Sequence, residues 1–254
     1  NFCFKDFWEE LKLESIYSKE FELRTSDFDC REKLLPGAIL DIFQVVAGQH
    51  AYDLGCGVGP LMERSLLWVL IRTKYEVLKN PEMYQKVRVK TWPLPSTRVG
   101  FQREYLMESL NGEILIKASS DWVVINSESR KIVPAEDIYP KDLEYCTVKN
   151  FEKRLGKVPS FEETENSVTL CPGFSQLDMN GHVNNTKYAN YAIDALDPKE
   201  NETVASFQID YRHEVKKGDT LKVSVHRDGE IALVKGEDLS GNVMFACKMD
   251  IKNL

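Results

Sequence analysis

Between residues 178 and 188 the chain reads Asp-Met-Asn-Gly-His-Val-Asn-Asn-Thr-Lys-Tyr, which gathers a carboxylate, three amides and an imidazole into a short stretch. From Tyr188 onward, apolar or aromatic residues fall at 188, 191, 192, 195 and 196, the spacing of a helix with one buried face. The polar group therefore sits at that helix's N-terminus. Unpaired backbone N–H groups and the positive end of the helix dipole favour an anion there, or an oxyanion as it develops. A plainer reading makes Asn184 or Asn185 an N-cap and the rest a loop, but one cap does not need the other polar groups.

A helix start of this kind has to be held by a larger frame. Gly37 to Gly48 is apolar nearly all round and predicts a helix buried on most of its surface. Strands follow it. Leu66 to Val77 begins as a continuous apolar run, Lys86 to Trp92 alternates Val87 and Val89 with Lys86, Arg88 and Lys90, and Val99 to Leu110 faces Glu113 to Ile125 across Asn111-Gly112. The second half has the same order: a helix near 185–196, then strands near 203–214, 220–227, 230–238 and 242–252, with turns at Asp228-Gly229 and Ser240-Gly241-Asn242. Short text recurs as well, since Tyr75-Glu76-Val77-Leu78-Lys79 ahead of Lys86-Val87-Arg88-Val89 parallels His213-Glu214-Val215-Lys216-Lys217 ahead of Lys222-Val223-Ser224-Val225. One helix and an antiparallel meander, twice over, predicts an α+β protein whose two sheets each curl around a helix. Ser127 to Glu165, charged and punctuated by Pro134, Pro140 and Pro159, reads as the connection. The expected organisation is an N-terminal domain over 1–134, a linker over 135–165 and a C-terminal domain over 166–254.

Composition removes several classes of function. With 43% hydrophobic residues in 254, the chain can fill a substantial core. It lacks any run of roughly 18 apolar residues, and Asn1 to Leu13 mixes Lys5, Asp6, Glu9, Glu10 and Lys12 among its aromatics, so neither a membrane span nor a secretory signal is expected. The expected location is the cytoplasm, unless a presequence was removed. A net charge of -7 argues against nucleic acid as the main partner. The six cysteines (Cys3, Cys30, Cys56, Cys146, Cys171, Cys247) show neither a CxxC pair nor zinc-ligand spacing, which fits reduced thiols and no metal. Gly55-Cys56-Gly57-Val58-Gly59 follows a helix instead of a strand, so it reads as a flexible turn and not a nucleotide loop. His50 and His226 lack partners at catalytic spacing and read as structural or surface. Trp68, Trp92 and Trp122 read as core or as the lining of an apolar pocket.

The segment Asp178-x-Asn180-x-His182-Val183-Asn184-Asn185-x-x-Tyr188 resembles the signature of the acyl-[acyl carrier protein] thioesterases, the plant plastid enzymes and their bacterial relatives. Leu67-Trp68-Val69, Thr91-Trp92, Gly112-Glu113-Ile114-Leu115 and Ser120-Asp121-Trp122-Val123 follow in that family's order, and Tyr211-Arg212-His213-Glu214 is similar to its second catalytic segment. The resemblance implies two tandem hotdog domains. It also implies hydrolysis of the thioester between a fatty acyl chain and the phosphopantetheine arm of acyl carrier protein, without a cofactor. Residue by residue, it maps the family's catalytic Asp, Asn, His and Glu onto Asp178, Asn180, His182 and Glu214. Plant members carry a Cys directly after that Glu. Here the residue is Val215, which leaves no case for a cysteine nucleophile at that point; Cys171 and Cys247 fall in predicted strands and read as buried and inert.

Thioester hydrolysis needs a water made nucleophilic and a carbonyl oxygen stabilised as it becomes an oxyanion. On this reading Glu214 is the general base and His182 shares the proton traffic or orients the water. Asn180 holds the water or the carbonyl, and backbone N–H groups from Val183 to Asn185 are candidate oxyanion donors. Asp178 either fixes His182 and Asn180, or is itself the base with Glu214 as its partner, or attacks to form an anhydride. Trp68, Asn184 and Asn185 are expected to contact substrate, with the acyl tail in the N-terminal domain, where Ala38, Ala47 and Gly48 of the first helix are positions to fill. Acyl carrier proteins are acidic, so Lys187, Lys216 and Lys217 are the candidates for carrier docking, and Lys86, Arg88 and Lys90 form either a further basic face or an ordinary solvated one. A homodimer is compatible with all of this, and for a plastid protein the location becomes the stroma. The rival enzyme is an acyl-CoA thioesterase, since one fold serves both carriers; a hotdog module that only binds acyl-thioesters fits less well with four converging polar groups.

Overall fold

The structure is a computed structural model that describes residues 15–253 apart from Glu163 and Glu165. The reading of Asn1 to Leu13, and Cys3 with it, lies outside the described residues. The elements in chain order are β1 (Tyr17–Glu22), α1 (Pro36–Asp53), α2 (Val58–Glu63), β2 (Leu66–Val77), β3 (Lys86–Pro93), β4 (Phe101–Ser109) and β5 (Ile114–Asn126), then β6 (Asn166–Leu170), α3 (Lys187–Leu196), β7 (Glu202–Tyr211), β8 (Leu221–Asp228), β9 (Ile231–Glu237) and β10 (Val243–Asn253). Short 3-10 turns at Thr25–Asp27 and Phe174–Gln176 precede α1 and α3.

Two compact units emerge, and neither is contiguous in sequence. Among the described residues, one takes residues 15–25 with Ile42–Leu70 and Leu78–Lys153; the other takes Ser26–Asp41, Ile71–Val77 and residues from Arg154 onward. The strand orders are β1-β3-β4-β5-β2 and β6-β8-β9-β10-β7, with β2 giving its residues up to Leu70 to the first unit and Ile71–Val77 to the second. Advancing every label by five converts one order into the other, so the repeat legible in the sequence is a repeat of topology. All ladders with a printed register are antiparallel.

Strand alternation decides which side chains are buried. Val87 and Val89 of β3 are fully buried, while Arg88 on the other face lies 2.9 Å from Glu20 and 3.5 Å from Glu108, and Lys90 lies 2.9 Å from Glu108. Arg88 and Lys90 are thus paired with carboxylates on their own sheet, while Lys86 is exposed. In the first unit Phe43 of α1 stacks on Tyr105 of β4 at 4.9 Å, and Trp68, Phe101, Trp122 and Tyr139 form an aromatic cluster. Trp92 is core, its indole N–H donating to the Val148 carbonyl at 2.9 Å.

Several expectations need correction. Helix α1 is not buried most of the way round: Ile39, Leu40, Phe43, Val46, Ala47 and His50 are buried, but Gln44, Val45, Gly48 and Gln49 are exposed. Composition alone hides that stripe, because Val45 and Gly48 are as apolar as their buried neighbours. Gly48 is exposed, and a Cβ there would meet open space. Cys171 lies just beyond β6 and is exposed, whereas Cys247 is buried in β10, where desolvation holds its thiol well above the usual range. Residues 58–63 after the glycine-rich turn are helical. His50 is buried against the Arg103 guanidinium, with Nδ1 3.0 Å from the nearer terminal nitrogen.

Candidate active site

The 178–188 segment folds into a closed loop before it reaches α3. The Asp178 N–H donates to the His182 carbonyl at 2.7 Å, and the Gly181 N–H to the Asp178 carbonyl at 3.1 Å. Gly181 sits at φ 77°, a left-handed conformation that glycine adopts without a Cβ penalty. Asp178 turns its carboxylate inward: Oδ1 accepts the N–H of Asn180 at 2.8 Å and of His182 at 3.1 Å. The loop therefore presents Asn180 and His182 outward, and the exposed Asn180 amide makes no hydrogen bond to another described residue.

Glu214 reaches the same place from the far end of β7. Val183 donates its N–H to the Val215 carbonyl at 2.8 Å, and His182 bridges Lys216 as an antiparallel pair. In such a ribbon, residues 182 and 214 are diagonal neighbours on one face, and 183 and 215 point to the other. The structure has that arrangement: Val183 is 2% exposed and Val215 0%, while His182 Nε2 lies 3.5 Å from Glu214 Oε2. Two tyrosines pin the arms. Tyr188 of α3 accepts the Val215 N–H on its hydroxyl at 3.1 Å, and the Tyr211 hydroxyl donates to the Asn185 carbonyl at 3.1 Å. Burial, with Asp178 and Glu214 nearby, holds the Tyr188 phenol protonated far above its ordinary range, so it acts as a fixed hydrogen-bonding post.

The candidate oxyanion donors narrow. The Val183 N–H is taken by Val215 and the Asn184 N–H by the Gln176 carbonyl at 2.9 Å, which leaves the Asn185 N–H as the one of the three without such a bond among the described residues. The Asn184 side chain caps locally instead, Oδ1 accepting both the N–H and the hydroxyl of Thr186 at 3.0 Å. Lys187 is held by Asp41 at 3.2 Å. Lys216 and Lys217 are exposed, and Lys217 Nζ lies 5.9 Å from the centre of the Phe174 ring. Trp68 belongs to the aromatic cluster of the first unit, its indole N–H donating to the Cys56 carbonyl at 2.9 Å. Sequence reasoning named Tyr211 within the second segment but gave it no role; its hydroxyl sets one arm. It gave no role to Phe174, on the approach to the loop, or to Met179 within it, each 79% exposed; their signal was two large apolar side chains among turn-forming residues. Among the described residues no group of His, Cys, Asp and Glu could hold a metal ion.

Two units of this topology, each one helix against an antiparallel sheet, make a tandem hotdog protein. The fold is shared with an acyl-ACP thioesterase from Bacteroides thetaiotaomicron (TM-score 0.85, 24% identity, covering 94% of this chain and 98% of that one). It is shared as well with the 12:0-ACP thioesterase from Umbellularia californica (TM-score 0.83, 22% identity, 96% and 99%). Residues 14–141 match the acyl-ACP thioesterase N-terminal domain and residues 160–250 its C-terminal domain. The chain belongs to the acyl-ACP thioesterase family. Curated relatives include the chloroplastic oleoyl-acyl carrier protein thioesterase 1 of Arabidopsis thaliana, 25% identical over 92% of this chain and 71% of that protein. A chloroplastic acyl-[acyl-carrier-protein] hydrolase of Cuphea viscosissima is 28% identical over 82% of this chain. The match spans only 54% of that relative's length.

Proposed function

We propose that this chain hydrolyses the thioester of a fatty acyl-acyl carrier protein and so ends chain elongation. The observation that carries the reading is the His182–Glu214 pair, 3.5 Å apart on one face of a ribbon in a chain of this family. Glu214 is the general base: it takes a proton from a water that attacks the thioester carbonyl carbon. His182 orients that water and shares the proton. The Asn185 N–H at the approach to α3, together with the Asn180 amide, faces the carbonyl oxygen as it becomes an oxyanion, where preorganised donors contribute most. Collapse breaks the C–S bond, the departing phosphopantetheine sulfur takes the proton, and free fatty acid leaves. No cysteine takes part. The first unit is the proposed home of the acyl tail, with Trp68 and its aromatic neighbours as the apolar lining.

Lys216 and Lys217, with Phe174 and Met179 exposed nearby, are the proposed carrier-docking residues, since an acidic partner with an apolar centre is met by cations around apolar anchors. The activity fits the bacterial cytoplasm or, for a plastid protein, the stroma; no helix among the described residues is long and apolar enough to cross a membrane. Release of free thiol from acyl carrier protein and coenzyme A thioesters of matched chain length tests the carrier. A higher kcat/KM for the carrier-protein thioester is expected. A preference for the coenzyme A thioester would make the chain an acyl-CoA thioesterase.

A further inference from the structure

The loop that carries the site occurs twice. Residues 28–34 ahead of α1 and 177–183 ahead of α3 follow one plan, each entered through a 3-10 turn. Phe28 bridges Leu34 as Leu177 bridges Val183. The Asp29 N–H donates to the Lys33 carbonyl at 2.8 Å, the counterpart of the 2.7 Å bond from Asp178 to His182. Glu32 and Gly181 donate to the carbonyls of Asp29 and Asp178, both at 3.1 Å, and both have positive φ, 60° and 77°. Even the carboxylates match: Asp29 Oδ1 accepts the N–H of Arg31 at 2.8 Å and of Lys33 at 2.9 Å, as Asp178 Oδ1 accepts those of Asn180 and His182.

The two copies agree at the aspartate and differ where side chains would do chemistry. Arg31 stands for Asn180 and Lys33 for His182. Arg31 is used as a strut, its guanidinium donating to the carbonyls of Pro198, Lys199 and Glu202. A lysine gives no imidazole to shuttle protons near neutral pH. The aspartate is thus present in a loop with no acid–base pair to serve, and there it satisfies two backbone N–H groups. We infer that Asp178 is a positioning residue, whose Oδ1 closes the loop and sets the backbone of Asn180 and His182, and that it is neither the base nor a nucleophile. This rests on the hydrolase reading above for its kinetic consequence only; the architectural claim stands on the two loops.

Substituting asparagine and alanine at both positions tests it. An asparagine amide oxygen can accept the same two N–H groups, but it is not basic. Expected for Asp178→Asn is a kcat within about tenfold of wild type, below the 10²- to 10⁴-fold cost of losing a general base, with the acid limb of the kcat pH profile unmoved. Asp178→Ala should lose about 10²-fold or more and lower the unfolding midpoint by about 4 °C or more. Asp29→Asn and Asp29→Ala should repeat the midpoint pattern with kcat unchanged. An Asp178→Asn protein as inactive as Asp178→Ala, with an unchanged unfolding midpoint, would overturn the inference. The midpoints decide separately from activity: if wild type hydrolyses no acyl-thioester the hydrolase reading fails, whereas an Asp178 insensitive to alanine where Asp29 is sensitive overturns the positioning role itself.

Discussion

Glu214 and Val215 are neighbours in sequence and face opposite ways. The ribbon formed by residues 182–184 and 214–216 turns Glu214 toward His182 and buries Val215 under Tyr188. A cysteine at 215 would therefore point away from the reacting carbonyl, into apolar surroundings that raise a thiol's pKa. Val215→Cys is expected to leave kcat within about twofold, far short of the 10²-fold scale of losing acid–base help, and to resist alkylation until the protein unfolds. Rapid alkylation of the folded variant, or a large change in rate, would contradict this alternation. The polar groups themselves were legible in the sequence, because a carboxylate, an imidazole and three amides ahead of a helical stripe have no economical role in a core. What was not legible is which backbone donors remain. Val183 and Asn184 spend their N–H groups on Val215 and Gln176, partners that are distant or unmarked in the sequence.

At the scale of elements, the strands and the α3 helix fall close to where alternation and spacing predict them. The short strands β1 and β6 were missed, since six or fewer residues with exposed faces carry little periodicity. Strand β4 holds a feature no pattern could show. Glu104 is 2% exposed, and its carboxylate accepts the Ser119 hydroxyl at 2.9 Å and the Asn150 N–H at 3.0 Å, which ties the connecting segment to the first sheet. Burial lifts its pKa from the ordinary 4.5 to about 7, with the hydrogen bonds pulling the other way. A folded-state pKa above the unfolded one means the folded protein binds that proton more tightly. Stability from this group is therefore full below about pH 4.5 and is lost as pH rises through about 7, a change on the order of 3 kcal/mol. Glu104→Gln keeps an acceptor and removes the charge. Its gain in unfolding midpoint over wild type should grow from about pH 5 to about pH 8; a gain independent of pH would show that Glu104 is not the titrating group.

For the whole molecule, the repeat read from Tyr75–Lys79 and His213–Lys217 was a faint trace of a strong regularity. The strand order and the pre-helix loop are both doubled, and sequence similarity has faded where Arg31 and Lys33 replaced Asn180 and His182. The helix–loop boundary was readable, but not that residues 26–41 belong with the C-terminal unit, because packing partners are not written in periodicity. On the proposed function, a chain of net charge -7 must also find an acidic carrier. Lys187 is held by Asp41, and Arg88 and Lys90 are paired, whereas Lys216 and Lys217 are exposed beside Glu214 and are the cations proposed to attract it. Exposed charges are screened within roughly 8 Å at physiological salt, so the effect acts on association. Rising salt should lower kcat/KM for the acyl carrier protein substrate much more than for a short acyl-pantetheine, and reversing Lys216 and Lys217 to Glu should abolish most of that difference. Equal salt sensitivity for both substrates would move the docking surface away from Glu214.

The central claim is that one loop of the two works, through His182 and Glu214. It is tested most directly by following free thiol from acyl-acyl carrier protein with wild type, Glu214→Gln and His182→Ala, each shown to be folded by its unfolding midpoint. Wild type should release thiol well above the uncatalysed rate, and each variant should lose about 10²-fold or more in kcat. A wild-type protein that binds the substrate yet releases no thiol, or a folded Glu214→Gln protein that keeps near-full kcat, would contradict it.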